Sequence, residues 1–144
     1  MLKDSYLQAP AEIYFNGDFT ISVWVYINSI RVFSRVIDFG NGPYLDNIIL
    51  SLSRFDSAHP YFEIFYGSTP SLLVAVNALP LKKWTHLLAT YASTNASIYI
   101  NGNFDNYISN VNLKNNLLRT KNYIGKSHFA FDMLSDAFIR KLRI

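Results

Sequence analysis

An alternation of apolar and polar residues with a period of two runs along most of this chain, and it constrains the fold more than any other feature. It is clearest in residues 19–28, where the alternate apolar positions are Phe19, Ile21, Val23, Val25 and Ile27. Successive side chains of a β-strand point to opposite faces, so this pattern predicts a half-buried strand. No segment of the sequence shows a helical period of 3.6 residues. The pattern therefore predicts an all-β protein.

Further segments with strand periodicity or strand composition lie between clusters of turn residues. They are residues 36–39, 46–53, 61–66, 72–76, 84–91, 96–100, 104–108, 123–125 and 137–144. Residues 67–70 and the pair Asn101-Gly102 predict hairpin turns, because Gly and Asn tolerate positive φ. About eleven short strands separated by turns predict a jelly-roll sandwich of two antiparallel sheets.

Length and composition predict one folded domain over residues 1–144. Half of the 144 residues are hydrophobic and the formal net charge is only +3, whereas disordered chains combine low hydrophobicity with high net charge. The absence of cysteine excludes zinc-thiolate, iron–sulfur and cysteine-nucleophile chemistry. No apolar run approaches the ~18 residues of a membrane span, so we expect no membrane insertion.

The alternation also assigns side chains to the two faces of each strand. A set of apolar residues is expected to point between the sheets: Val23, Val25, Ile48, Leu50, Leu88, Ile98 and Ile100. The opposite face of residues 19–28 carries Trp24 and Tyr26. These rings either stack on a sugar or form a second core layer under loops, which is the commoner arrangement.

Catalytic motifs are missing from the sequence. Glu12 and Glu63 are the only glutamates, and neither belongs to a pair of acids two residues apart, which would place two carboxylates on one strand face for glycoside cleavage. The histidines are far apart and lack zinc-type spacing: His59, His86 and His128. We interpret His86, on a strand beside Trp84, as a hydrogen-bonded core residue. The sequence therefore predicts that the protein is not an enzyme.

One group of oxygen-bearing side chains surrounds a glycine-containing loop. Asp38, Asp46 and Asn47 flank Gly40-Asn41-Gly42, and carboxylate and amide oxygens are ligands that calcium accepts. The alternative is that these side chains cap the loop by hydrogen-bonding its backbone amides. Calcium is thus a candidate cofactor.

The last fifth of the chain carries an excess of basic residues. They are Lys114, Arg119, Lys121, Lys126, Arg140, Lys141 and Arg143. They are scattered among apolar residues rather than packed into a run, and no RNA-binding or helix-turn-helix pattern accompanies them. We expect them to be solvated cations on outer faces, and we expect no nucleic-acid partner.

Five groups of residues keep a common order and spacing along nearly the whole chain. They are residues 17–25 (GDFTISVWV), 34–42 (SRVIDFGNG) with 46–48 (DNI), 84–86 (WTH) with 90–91 (TY), 98–102 (IYING) and 123–127 (YIGKS). Together they resemble the laminin G-like, concanavalin A-like lectin/glucanase superfamily. The resemblance implies a jelly-roll binding module, usually extracellular or at the cell surface within a larger multidomain chain. It implies adhesion or the binding of glycans or extracellular proteins, often with calcium.

The chain departs from this family near its C-terminus. Relatives commonly carry an acidic pair before the last apolar strand residues, where this chain has Arg140-Lys141. Metal or ligand contacts of those acids are therefore not carried over. Asp132, in the preceding loop, does match an acidic position of the family, so it joins Asp38, Asp46 and Asn47 as a candidate metal ligand.

Recognition in such a sandwich tends to fall on loops at one edge, where polar groups and rings are free. Residues 41–47 and 127–132 are the richest such loops. We expect Tyr44 or His128 to stack on a sugar ring while Asp46 and Asn47 bind its hydroxyls. The alternative is that Phe129 and Phe131 fold inward as loop anchors and Tyr44 is ordinary surface.

Three functions follow from this sequence. The leading hypothesis is a non-catalytic extracellular recognition or adhesion module that binds a carbohydrate or a protein through its edge loops. The second is a structural spacer domain of a larger surface protein, with no ligand. A divergent glycoside hydrolase is the least favoured, because the carboxylate pair is missing.

Overall fold

The computed structural model describes residues 5–144, which contain eleven strands and no helix. The strands are β1 (Leu7–Ala9), β2 (Phe19–Ile27), β3 (Arg35–Gly40), β4 (Ile48–Ser51), β5 (Tyr61–Tyr66), β6 (Thr69–Val74), β7 (Trp84–Ala92), β8 (Asn95–Ile100), β9 (Asn103–Ile108), β10 (Lys121–Ile124) and β11 (Ala137–Arg143). Because there is no helix in this range, none spans a membrane.

The strands form two antiparallel sheets. One has six strands in the order β1-β10-β3-β4-β5-β6, and the other has five in the order β11-β2-β7-β8-β9. Sequence neighbours pair as hairpins within each sheet, whereas β10 and β11 return from the end of the chain to pair with β3 and β2. The predicted jelly-roll sandwich of two antiparallel sheets is confirmed.

The main core lies between the sheets and is built from the inward residues of both. Val23 and Val25 of β2, Ile48 and Leu50 of β4, and Ile98 of β8 are buried in it, as predicted. Ile100 packs at its margin as a partly buried residue.

The prediction was wrong for Leu88, which is only half-buried, whereas its neighbour Leu87 is fully buried. Two adjacent leucines in β7 leave it ambiguous which of them faces the core. The pairing register between β7 and β2 decides the question. Ser22 pairs with Leu88, and Val23 pairs with Leu87. Paired residues share a face, so Leu87 faces the core with Val23.

The predicted hairpin at Asn101-Gly102 is confirmed, since both residues have positive φ (52° and 81°), as a type I′ turn requires. The β7–β8 hairpin uses Ser93 and Thr94, with φ of 48° and 69°. Neither residue is a strong turn signal, so the sequence did not indicate this turn. Strand β1 was also not predicted, and it pairs with β10 at the end of the six-stranded sheet.

A second apolar cluster covers the outer face of the six-stranded sheet. Its buried members are Ile49, Tyr61 and Phe65, and the partly buried residues around it are Phe33, Leu72, Val74 and Phe129. Phe33 and Phe129 come from loops that fold over the strands. This face is therefore closed to solvent over much of its area.

Arg119 corrects the expectation that the C-terminal cations are all solvated. Its side chain is fully buried, lies over the ring of Phe15 and donates a hydrogen bond from Nε to the carbonyl of Asp46. Burial lowers the pKa of Arg119 to about 10. The cation ties the loop before β10 to the loop before β4.

Candidate functional site

Most of the predicted edge-loop residues belong to one connected set of hydrogen bonds and ion pairs. This buried polar network consists of Arg35, Asp38, Asn47, Ser127, His128 and Asp132. It joins β3 to the loop before β4 and to the loop between β10 and β11. Four of its six members were candidates for ligand or metal binding in the sequence, whereas Arg35 and Ser127 were not.

Asp38 is the centre of the network. Its side chain is fully buried, and Oδ1 accepts a hydrogen bond from Nδ2 of Asn47 at 2.8 Å. Oδ1 also lies 2.8 Å from Nδ1 of His128, and Oδ2 accepts from the backbone N–H of His128 at 2.9 Å. Nδ1 of His128 also lies 3.2 Å from Nδ2 of Asn47, so the three side chains of Asp38, Asn47 and His128 are in mutual contact. These contacts satisfy both carboxylate oxygens from within the protein.

Arg35 supplies the positive charge of the network. Its Nη2 lies 2.6 Å from Oδ2 of Asp132, and its Nε lies 3.9 Å from Oδ2 of Asp38. The guanidinium packs over the rings of Tyr61 and Phe129. Burial lowers the pKa of Arg35 and raises that of Asp132, while their mutual attraction opposes both changes. Arg35 thus places one positive charge beside two buried carboxylates.

The predicted calcium ligands do not converge on one point. Asp46 turns away from Asp38, because its Oδ1 accepts from the backbone N–H of Gly67 at 2.6 Å and its Oδ2 lies 3.2 Å from Nζ of Lys114. Within residues 5–144, no three His, Asp or Glu side chains are arranged to hold a metal ion. The carboxylate oxygens of Asp38 and Asp132 lie at the guanidinium of Arg35, so they fit that cation rather than calcium. Asp46 fits the alternative interpretation, because its side chain caps a loop by accepting a hydrogen bond from the backbone N–H of Gly67.

The four predicted ligand-binding residues differ in exposure. Tyr44 is 56% exposed, whereas Asp46 and Asn47 are buried and the His128 side chain is 3% exposed. The ring of Tyr44 meets that of Phe129 edge-on at 4.8 Å. Sugar binding at this edge stays a prediction, with Tyr44 as the side chain that reaches solvent.

Phe129 and Phe131, in the loop of residues 127–132, lie in different environments. Phe129 does fold inward, as the alternative interpretation proposed, because it packs against the second apolar cluster. Phe131 does not, since 97% of it is exposed.

A different group of rings lies on the outer face of the five-stranded sheet. This aromatic face is formed by Trp24 and Tyr26 of β2, Trp84 of β7 and Phe138 of β11. Tyr26 pairs with Trp84 on one side and with Phe138 on the other. Because paired residues share a face, the strand register alone brings these rings together.

Three rings of the aromatic face are in contact, and two of its four rings are exposed while the other two are half-buried. The centroid of Tyr26 lies 5.6 Å from that of Trp84 and 5.8 Å from that of Phe138. Trp24 is 40% exposed and Phe138 is 45% exposed. In the described part of the chain, neither Trp24 nor Tyr26 belongs to an apolar core cluster, so the expectation of a second core layer here was wrong.

Trp84 separates two shallow clefts. One, of about 240 Å³, is lined by Trp24, Trp84, Arg140 and Lys141. The other, of about 390 Å³, is lined by Tyr26, Asn28, Trp84 and Phe138. Each cleft therefore joins aromatic surface to at least one hydrogen-bonding side chain, which is the composition of a small-ligand site.

His86 supports Trp24 from the neighbouring strand. Its Nε2 lies 2.9 Å from Oγ of Ser22, and its ring centroid lies 5.2 Å from that of Trp24. The interpretation of His86 as a core residue was wrong, because it lies on the outer face and is only half-buried. Its hydrogen bond was expected and is present.

The sequence contained a signal for part of this site. Trp24, Tyr26 and Trp84 occupy positions that alternate with core residues in β2 and β7. The first two were recognised from the sequence as possible sugar-stacking rings. Phe138 was missed, and Arg140 was not connected with these rings, because nothing in the chain indicated that β11, the last strand, pairs with β2.

The family model described as the concanavalin A-like lectin/glucanases superfamily matches residues 3–144. A comparison with curated protein sequences finds no significant match.

Three solved structures have a similar fold at low sequence identity. Domains LG4-5 of the mouse laminin alpha1 chain share 13% identity (97% of this chain, 40% of that chain, TM-score 0.71). Domain 4 of AbnA, a GH43 extracellular arabinanase from Geobacillus stearothermophilus, shares 14% in complex with arabinotriose (93% and 64%, TM-score 0.71). The CBM40 of Ruminococcus gnavus IT-sialidase, bound to alpha2,3 sialyllactose, shares 10% (96% and 89%, TM-score 0.67).

This chain spans less than two thirds of the laminin and arabinanase chains. At these identities the similarity concerns the fold. The match of the family model over almost the whole chain and the two-sheet topology lead to one conclusion: this chain belongs to the concanavalin A-like lectin/glucanase superfamily.

Proposed function

We propose that this domain is a non-catalytic recognition module that binds a carbohydrate on its aromatic face. The observation that carries the proposal is the group of four neighbouring rings, two exposed and two half-buried, around two clefts. A sugar ring has an apolar C–H face and a polar rim. Aromatic rings pack against the C–H face, and polar side chains at the cleft margin bind the hydroxyls of the rim.

The energetics of the two sheets favour this face as a binding surface. Removing apolar area from water is worth roughly 25 cal/mol per Å², so leaving large rings exposed forgoes stabilisation. Contiguous exposed apolar patches on soluble proteins commonly mark interaction sites. The outer face of the six-stranded sheet buries its rings under Phe33 and Phe129, whereas the aromatic face keeps its own available.

The polar groups at the clefts suit binding rather than hydrolysis. Asn28 and Arg140 line the margins, where their N–H groups can donate to sugar hydroxyls. Neither cleft is lined by Asp or Glu, and glycoside cleavage normally requires two carboxyl groups flanking the bond. The proposal is therefore a binding module.

The similar structures support three parts of the proposal: a carbohydrate ligand, an extracellular location and a position within a larger chain. Two of them contain a bound oligosaccharide, arabinotriose or sialyllactose. One belongs to an enzyme described as extracellular, and the laminin chain is more than twice as long as the part matched here. We propose that this domain likewise works outside the cell or at its surface within a larger chain, with a glycan or an extracellular protein as its partner. Protease shaving of intact cells that express the full-length protein tests the location.

The binding site is tested by comparing single variants on a ligand found by glycan-array screening. Trp24→Ala and Trp84→Ala remove rings from the aromatic face. Tyr44→Ala removes the exposed ring of the edge loop, and Tyr66→Ala is a control, because Tyr66 is similarly exposed (55%) on the six-stranded sheet. Calorimetry should show at least about a tenfold loss of affinity for the two tryptophan variants, a difference of about 1.4 kcal/mol.

The outcomes separate the possible sites and functions. Thermal melting must first show that each variant is folded. A loss confined to Tyr44→Ala would place the site at the edge loop, as the sequence predicted, and would refute the aromatic face. Absence of any glycan or protein ligand would favour the spacer function.

A further inference from the structure

Strand β11 contains a bulge at the point where it crosses the aromatic face. Arg140 pairs with Trp24 and Arg143 pairs with Ser22, so the register shifts between them. Lys141 has a φ of 52°, in the left-handed region that non-glycine residues seldom occupy. A bulge re-aims side chains by placing two residues opposite one. Here it brings Arg140 and Lys141 together at the cleft between Trp24 and Trp84.

These two cations are not paired with acids of the described residues. Neither forms an ion pair with a carboxylate within residues 5–144, and no described Asp or Glu lines the cleft. The guanidinium carbon of Arg140 lies 5.2 Å from the centroid of Trp84, which holds the side chain over the sheet by a cation–π contact. The cleft therefore combines two aromatic walls with two uncompensated positive charges.

Strand-edge protection is the alternative explanation for basic residues in β11. Strand β11 ends the five-stranded sheet, and lysines on edge strands discourage pairing with other chains. Protection requires charges along the open edge, however. Arg140 lies instead over the ring of Trp84, which belongs to β7, two strands inward. The geometry thus directs charge onto the binding face.

We propose that this cleft selects an anionic saccharide, with the rings of Trp24 and Trp84 against the sugar and Arg140 and Lys141 against its carboxylate or sulfate group. The inference rests on the proposed function and names its ligand class. Guanidinium binds the planar oxygens of a carboxylate or the oxygens of a sulfate through parallel N–H donors, and the ammonium of Lys141 adds a second charge.

The experiment compares polysaccharides that share a backbone and differ in charge. Polygalacturonate carries carboxylates, its fully methyl-esterified form is neutral, and heparin and solvolytically desulfated heparin separate sulfate from carboxylate. Binding of the folded domain to each immobilised chain is measured by biolayer interferometry at several NaCl concentrations. We expect at least one acidic chain to bind at least about tenfold more tightly than its neutral or desulfated counterpart, with affinity falling as salt rises.

Paired charge variants test whether the cleft is responsible. Arg140→Gln/Lys141→Gln should lose about tenfold or more in affinity for the acidic chain and most of its salt dependence. Lys114→Gln/Lys121→Gln removes the same net charge elsewhere, at Asp46 and at the start of β10, and should change the affinity less than about twofold.

The results distinguish failure of this inference from failure of the proposed function. An equal loss in both double variants would show that only net charge matters and would overturn the inference, as would the lack of any preference for acidic chains. In either case, loss of neutral-sugar binding in Trp84→Ala would leave the proposed function standing. Retained binding of every chain in Trp84→Ala would refute the proposed function itself.

Discussion

Glu63 provides the sharpest test of the second apolar cluster. Its carboxyl group lies on the outer face of β5, between Tyr61 and Phe65 along the strand and between Ile49 and Leu72 across the sheet. Burial among these residues raises the pKa of Glu63 to about 7, although Arg35 lowers it in part. The carboxyl therefore keeps its proton in the folded protein at a pH where the unfolded chain has released it.

The direction and size of the effect follow from the pKa difference. Because the folded value lies above the unfolded value of 4.5, the contribution of Glu63 to stability is complete below pH 4.5. It is lost as the pH rises through about 7. Each pH unit within that window removes up to about 1.4 kcal/mol, but partial solvation reduces the sum, so we expect a total of about 1–3 kcal/mol.

The substitution Glu63→Gln removes this titration while it keeps the shape of the side chain. The free energy of unfolding should be obtained from urea denaturation at pH 5, 6, 7 and 8, followed by the fluorescence of Trp24 and Trp84. We expect the variant to gain about 1–3 kcal/mol relative to the wild type between pH 5 and pH 8. Burial also raises the pKa of Asp132, but Asp132 is present in both proteins and largely cancels in the difference.

Glu12→Gln is the matched control, because Glu12 is exposed. It should show no pH-dependent difference from the wild type. A constant difference between Glu63→Gln and the wild type over the whole pH range would refute the reasoning, because it would mean that the carboxyl group is well hydrated in the fold.

Three further predictions concern the core, the loop and the metal. Leu50→Ala should lower the free energy of unfolding by about 2–5 kcal/mol, whereas Leu88→Ala, on the outer face, should cost under about 1.5 kcal/mol; equal losses in urea denaturation would contradict the face assignment. Gly40→Ala places a Cβ 2.7 Å from Nδ2 of Asn47, so it should cost about 1–3 kcal/mol, and an unchanged melting temperature would show that Asn47 relaxes freely. Millimolar calcium or excess chelator should leave the melting temperature unchanged, because the guanidinium of Arg35 already lies beside Asp38 and Asp132 and Asp46 contacts Gly67 and Lys114 instead; a rise with calcium that Asp46→Ala abolishes would restore the predicted site.

The fold could be predicted because its determinants are local. The alternation in residues 19–27 predicts strand β2, and the pair Asn101-Gly102 predicts a hairpin turn, each without reference to distant residues. The structure contains both. Prediction failed where two local interpretations were equally good. At Leu87-Leu88 either leucine satisfied the alternation, and only the pairing with Val23 selected one.

The candidate sites were less predictable because their chemistry depends on distant residues. Asp38 and Asn47 were recognised as polar residues beside a loop, yet Arg35 places a buried cation inside this cluster. Arg35 is the first residue of β3 and gave no signal of its own. Arg140 was noted only as a solvated cation and as a departure from the family, and the pairing of β11 with β2 gives it a place beside Trp24.

The two outer faces of the sandwich carry similar rings but use them differently. On the six-stranded sheet, Phe129 and Arg35 cover Tyr61, and the network through Asp38 and Asp132 holds the covering loop in place. Losing a partner from such a network leaves a buried charge uncompensated, which typically costs about 3–5 kcal/mol. On the aromatic face Trp24 and Phe138 are exposed, so truncating them removes little packing. Under the proposed function, stability depends on the covered face and recognition on the aromatic face, so substitutions on the aromatic face should change ligand binding without unfolding the domain.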